Sequence, residues 1–123
     1  MKNLSVLICL LLGSASSALA HAPDMTLDFT WLGTTLCAPS PSSPEFQVEN
    51  IPAGTSQLRF VLTNPEGQEI GGATVPLPMH GMVPQGAVSF QSPCVGGTYT
   101  WTVEAMDATG KPLASAKLMR PFY

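Results

Sequence analysis

Proline and glycine interrupt this chain too often for a long helix to form. Twelve prolines and eleven glycines are spread among short apolar runs, and an interior proline removes a backbone donor and clashes with the turn before it. What survives between the breaks is period-two patterning. Met25, Leu27, Phe29 and Trp31 alternate with Thr26, Asp28 and Thr30. Leu58, Phe60 and Leu62 alternate with Arg59 and Val61, and Tyr99, Trp101, Val103 and Ala105 alternate with Thr100, Thr102 and Glu104. Such alternation turns one apolar face to a core and one polar face to water. Shorter strands are predicted at Phe46–Val48, Thr74–Leu77, Ala87–Phe90 and Leu113–Met119, the last of which also suits a short helix. Pro52-Ala53-Gly54-Thr55, Asn64-Pro65-Glu66-Gly67 and Asp107-Ala108-Thr109-Gly110 combine the residues that turns use. Seven or so short strands with frequent turns predict an all-β sandwich in a single domain.

The domain is expected to span residues 21–123, because residues 1–20 have the parts of an export signal. Lys2 is followed by an apolar run from Leu4 to Leu12 and then by the small-x-small sequence Ala18-Leu19-Ala20. The run falls short of the roughly 20 apolar residues that span a bilayer. Cys9 lies inside it after Ile8, which reads as filler rather than as a lipid attachment site. Cleavage between Ala20 and His21 predicts a periplasmic or secreted protein with no membrane anchor.

Processing leaves Cys37 and Cys94. An even count in an oxidising compartment points to one disulfide, and the spacing lacks the CxxC character of thiolate metal ligands. Beyond residue 20 the only cations besides histidine are Arg59, Lys111, Lys117 and Arg120, against all eight acids. Nucleic-acid binding through phosphate needs clustered cations, which these scattered ones do not supply.

Several segments resemble one family. Phe29-Thr30-Trp31, Cys37, Ser43-Pro44-Glu45-Phe46 and Ile51-Pro52-Ala53-Gly54-Thr55-Ser56-Gln57-Leu58 are similar to the opening of phosphatidylethanolamine-binding-protein-like proteins, whose bacterial branch is labelled "Raf kinase inhibitor-like". Ser92-Pro93-Cys94 and Tyr99-Thr100-Trp101-Thr102-Val103-Glu104-Ala105-Met106-Asp107 resemble that family's proline-cysteine segment and the strand after it. The resemblance covers residues 25 to 122 and implies a shortened β-sandwich with a pocket for phosphate-like head groups. That pocket uses an acidic-proline-acidic turn, which maps onto Asn64, Pro65 and Glu66, and histidines on two neighbouring loops. Here the first acid is an amide. The histidine positions hold Glu69-Ile70 and Val95-Gly96-Gly97-Thr98. The resemblance therefore implies a small-ligand module whose pocket has lost its cationic groups, so that a neutral or cationic ligand suits it better than phosphate.

The two histidines suggest a different chemistry. A mature chain beginning at His21 offers an α-amine and an imidazole on one residue. His80 lies in a proline-rich loop between Met79 and Met82, and Met25 follows His21 closely. Amine and imidazole nitrogens suit Cu(II), and thioethers suit Cu(I), which makes a periplasmic copper-binding protein the alternative reading. Enzyme signatures are absent: no serine or cysteine sits in an activation motif, and Glu66 and Glu69 read as a solvated pair. A purely structural or partner-binding domain is the third class.

Overall fold

In the computed structural model, which describes residues 23–123, the alternating runs become strands of two antiparallel sheets. The predicted signal sequence, the predicted cleavage site and His21 lie outside the described residues. In chain order the strands are β1 (Thr26–Asp28), β2 (Phe46–Glu49), β3 (Gln57–Thr63), β4 (Glu69–Pro76), β5 (Met82–Val83), β6 (Gly97–Met106) and β7 (Pro112–Phe122). One sheet has the order β1-β2-β5 and the other β4-β3-β6-β7. Among the described residues no helix is long and apolar enough to cross a membrane.

The core forms where the inward residues of the two sheets meet. Leu58, Phe60 and Leu62 from β3 and Tyr99, Trp101, Val103 and Ala105 from β6 are buried, as the alternation requires. Phe46 of β2 reaches across to both strands. Its ring stacks on Phe60 at 4.5 Å between centroids and meets Trp101 edge-on at 5.0 Å. Complete burial of a phenylalanine contributes about 1.5–3 kcal/mol, and aromatic pairs of this geometry add to it. At the β7 edge Trp31 stacks on Phe122 at 4.0 Å, and Arg120 pairs with Asp28 at 2.9 Å.

Local chemistry explains where the strands depart from their predicted spans. β1 stops at Asp28 because its last partner is Gln47, and Asp28 Oδ1 accepts the next amide, Phe29 N–H, at 3.0 Å. β4 starts at Glu69, well before Thr74, and runs through Gly71 and Gly72, whose bareness disguised it. A Cβ on Gly72 would collide with the Phe60 carbonyl, and one on Gly71 with the Phe90 backbone. Both glycines also have positive φ, at 128° and 153°. Ala87–Phe90 is not a strand. Val88 donates to Ser43 Oγ at 3.1 Å, and Phe90 makes only an isolated bridge to Gly71. Inside the proline-rich loop, a 3-10 turn at Met79–Gly81 leads into the short strand β5. Leu113–Met119 resolves as strand, within β7.

Candidate functional site

The hairpin that joins β3 to β4 is shaped by Asn64. Its Oδ1 accepts the backbone N–H groups of Glu66 at 3.0 Å and Gln68 at 2.8 Å, and its Nδ2 donates to Gln68 Oε1 at 3.0 Å. An Asn side chain that mimics a backbone turn in this way stabilises the reversal. The β6–β7 hairpin repeats the device with Asp107, whose Oδ1 accepts from Thr109 N–H at 2.9 Å and Lys111 N–H at 3.0 Å. Each turn places its glycine at positive φ, Gly67 at 84° and Gly110 at 86°. The polar atoms of Asn64 are therefore committed to the turn, and Glu66 is the member of the Asn64-Pro65-Glu66 set that keeps a free polar group.

Three separated segments meet beside this turn. A cleft of about 230 Å³ is lined by Asn64 and Glu66, by Ile70 of β4, and by the run from Gln91 to Val95 with Tyr99 of β6. Of the positions to which the resemblance maps the family's pocket, Asn64, Glu66, Ile70 and Val95 line this cleft. Pro65 approaches closely on the outer side because Gly97 has no side chain; a Cβ there would lie 2.8 Å from Pro65 Cγ. The cleft belongs to the end of the sandwich where β3 finishes and β6 begins, since Thr63 pairs with Thr100.

The lining mixes polar and apolar groups, and among the described residues its one charged side chain is Glu66. Ser92 Oγ is buried and has no hydrogen-bond partner. Tyr99 donates its hydroxyl to the Val95 carbonyl. Burial, and secondarily the negative charge of Glu66, pushes the Tyr99 phenol above its ordinary range. Among the described residues no Lys, Arg or His lines the cleft. Arg59 and Arg120 are each paired with an acid elsewhere, Glu104 and Asp28. Ser92, Gln91 and Tyr99 were not singled out as site residues from the sequence; Tyr99 read as a strand residue, and only the neighbouring Pro93-Cys94 hinted at the loop.

Cys37 and Cys94 are bonded, with Cα atoms 4.4 Å apart and a sequence separation of 57. The bridge joins the irregular stretch after β1 to the wall of the cleft, where Cys37 N–H also donates to the Pro93 carbonyl at 2.8 Å.

The described residues of the copper reading, Met25, Met79, His80 and Met82, lie on or beside the β1-β2-β5 sheet, toward the end away from the cleft. β2 has β1 on one side and β5 on the other. Thr26 pairs with Glu49, and the 3-10 turn packs beside Val48 and Ile51. The His80 turn and the entry into β1 thus share one end of a sheet. His80 and Met79 are exposed, with His80 held at φ 57°, and Met82 is 37% exposed. Met25 departs from the expected ligand set: it is 6% exposed and packed in the core, where it fills space. Among the described residues no group of three or more His, Cys, Asp or Glu is arranged to hold a metal.

The two-sheet scaffold has the fold of a phosphatidylethanolamine-binding-protein-like β-sandwich. A protein from Chlamydia trachomatis, described as a candidate phosphatidylethanolamine-binding protein homolog, superposes on it with a TM-score of 0.56 and 14% sequence identity. The alignment covers 81% of this chain and 97% of that one. No family model matches the sequence, and no curated protein matches it either.

Proposed function

We propose that the chain is an exported, non-catalytic binding module that takes a small polar ligand, neutral or cationic, in the cleft beside the Asn64 turn. The observation that carries this reading is the lining of the cleft. Glu66, Gln91 and Ser92 line a space that, among the described residues, no cationic side chain lines. Glu66 is the only charged side chain of the lining among these residues, so the cleft repels an anion and attracts a cation. The size of the cleft suits a head group rather than a whole lipid, since drug-sized pockets run from about 300 Å³ upward. The signal-like residues 1–20 support export, as does the disulfide, which persists in oxidising compartments. Titration with ethanolamine and, separately, with inorganic phosphate, followed by backbone amide NMR, tests the reading. Ethanolamine is expected to shift the amides around Glu66, Ser92 and Val95 and to lose that effect in Glu66→Gln. Tight, saturable phosphate binding at the same amides would overturn it.

Copper binding is a second reading, supported by the exposure of Met79 and His80 at the end of the sheet where the chain enters β1. It needs His21 as the first residue of the processed protein. Equal copper affinity in the processed protein, in His80→Ala and in a version with one residue added before His21 would end it.

A further inference from the structure

The Cys37–Cys94 bond joins two irregular segments and borders the cleft. Both cysteines are exposed residues, which puts the bond near the surface of the folded protein. Both also lie outside the two sheets, and breaking the bond removes no rung from either ladder. Cys94 is itself part of the cleft lining, next to Ser92, Pro93 and Val95. Few other contacts position this wall. Gln91 N–H donates to the Ile70 carbonyl at 2.7 Å at one end, and Tyr99 holds the Val95 carbonyl at the other. Between them, the one backbone bond to the wall comes from Cys37 N–H, and Cys37 sits in left-handed backbone at φ 59°. Residues other than glycine, asparagine and aspartate rarely adopt that conformation, and it persists where the surroundings impose it. Once the bond is cut, Cys37 is free to leave that conformation and take its hydrogen bond to Pro93 with it.

We propose that the Cys37–Cys94 disulfide is a redox clasp on the cleft, closed when oxidised and released by a protein dithiol of the exporting compartment. The step is an ordinary thiol–disulfide exchange. A thiolate of the dithiol attacks one sulfur, the protein S–S bond breaks, and a mixed disulfide forms. The second thiol of the reductant then attacks that bond. Two electrons and two protons end on Cys37 and Cys94, and the reductant leaves as its own disulfide. The wall from Ser92 to Val95 then loses its tether while β3 and β6 keep their pairing. The functional consequence rests on the proposed ligand site; the structural one does not.

The test uses dithiothreitol, itself a dithiol, on the exported protein in native buffer, with Cys37→Ser/Cys94→Ser as a reductant-free equivalent. Backbone order parameters of residues 93–96 are expected to fall below about 0.6 in both, while those of β3 and β6 stay near 0.85. An unchanged wall, loss of order throughout both sheets, or a bond that resists reduction until denaturant is added would each overturn the clasp. Ethanolamine added to both redox states separates the two readings. Amide shifts lost only on reduction support both, whereas a loosened wall with no ethanolamine response in either state supports the clasp and counts against the ligand site.

Discussion

Replacing Asn64 distinguishes a turn-forming residue from one that contacts a ligand. Asn64→Ala removes two accepted hydrogen bonds, from Glu66 N–H at 3.0 Å and Gln68 N–H at 2.8 Å, and one donated to Gln68 at 3.0 Å. Intramolecular hydrogen bonds contribute a net ~0.5–1.5 kcal/mol each. This turn is exposed, so water rehydrates the freed groups and the low end applies, giving a loss of about 1.5 kcal/mol. In a domain of this size that lowers the melting temperature by roughly 6–12 °C and the urea midpoint by about 1 M. Asn64→Asp keeps both acceptors and loses the donated bond, so it should cost only about 0.5 kcal/mol. The Asp107 hairpin shows that a carboxylate fills this role. Urea and thermal unfolding at neutral pH, followed by circular dichroism, measure both variants. An alanine variant within about 0.3 kcal/mol of the parent would refute the reasoning, and so would an aspartate variant as unstable as alanine; either result would return Asn64 to the list of ligand contacts.

Removing the disulfide by Cys37→Ser/Cys94→Ser should cost roughly 4 kcal/mol in urea unfolding, from chain entropy over the separation of 57, with the strands still folded at 25 °C. The Asp107 carboxyl is held below its ordinary value, chiefly by the Thr109 hydroxyl and then by the Lys111 amide. Its contribution is therefore complete above the unfolded-state value near 4 and disappears as pH falls through the lower folded value; Asp107→Asn should flatten the acid side of a stability–pH curve. Tyr99 has the opposite sign, since its phenol is raised by burial and by Glu66. Its contribution is present below the unfolded value and lost as pH rises through the folded one. Absorbance titration of the phenolate should show Glu66→Gln moving Tyr99 downward, with no movement if Glu66 is remote from it.

The scaffold was legible in the residues because period-two alternation is a local signal with a physical cause. Leu58, Phe60 and Leu62, and Tyr99 through Ala105, have their apolar members buried as the pattern requires. Cys37 and Cys94 could be paired by count and compartment alone. Tertiary structure decided what depends on a neighbour. The predicted strand begins at Thr74, yet β4 already includes Gly71 and Gly72, where other backbone comes too close for a Cβ. Ala87–Phe90 has the composition of a strand, but the Ser43 hydroxyl takes the Val88 amide that a ladder would use. Asn64 marked a turn in the sequence; only the fold commits its side chain to that turn and leaves Glu66 to face the cleft. Ser92 carries no sequence signal as a site residue, because a serine hydroxyl acquires its meaning from the partners it lacks. Met25 shows the limit most directly. A thioether four residues from His21 looks like a ligand to soft copper, and alternation also places it on the inner face of β1. The core needs apolar volume at that point, so the side chain is buried there.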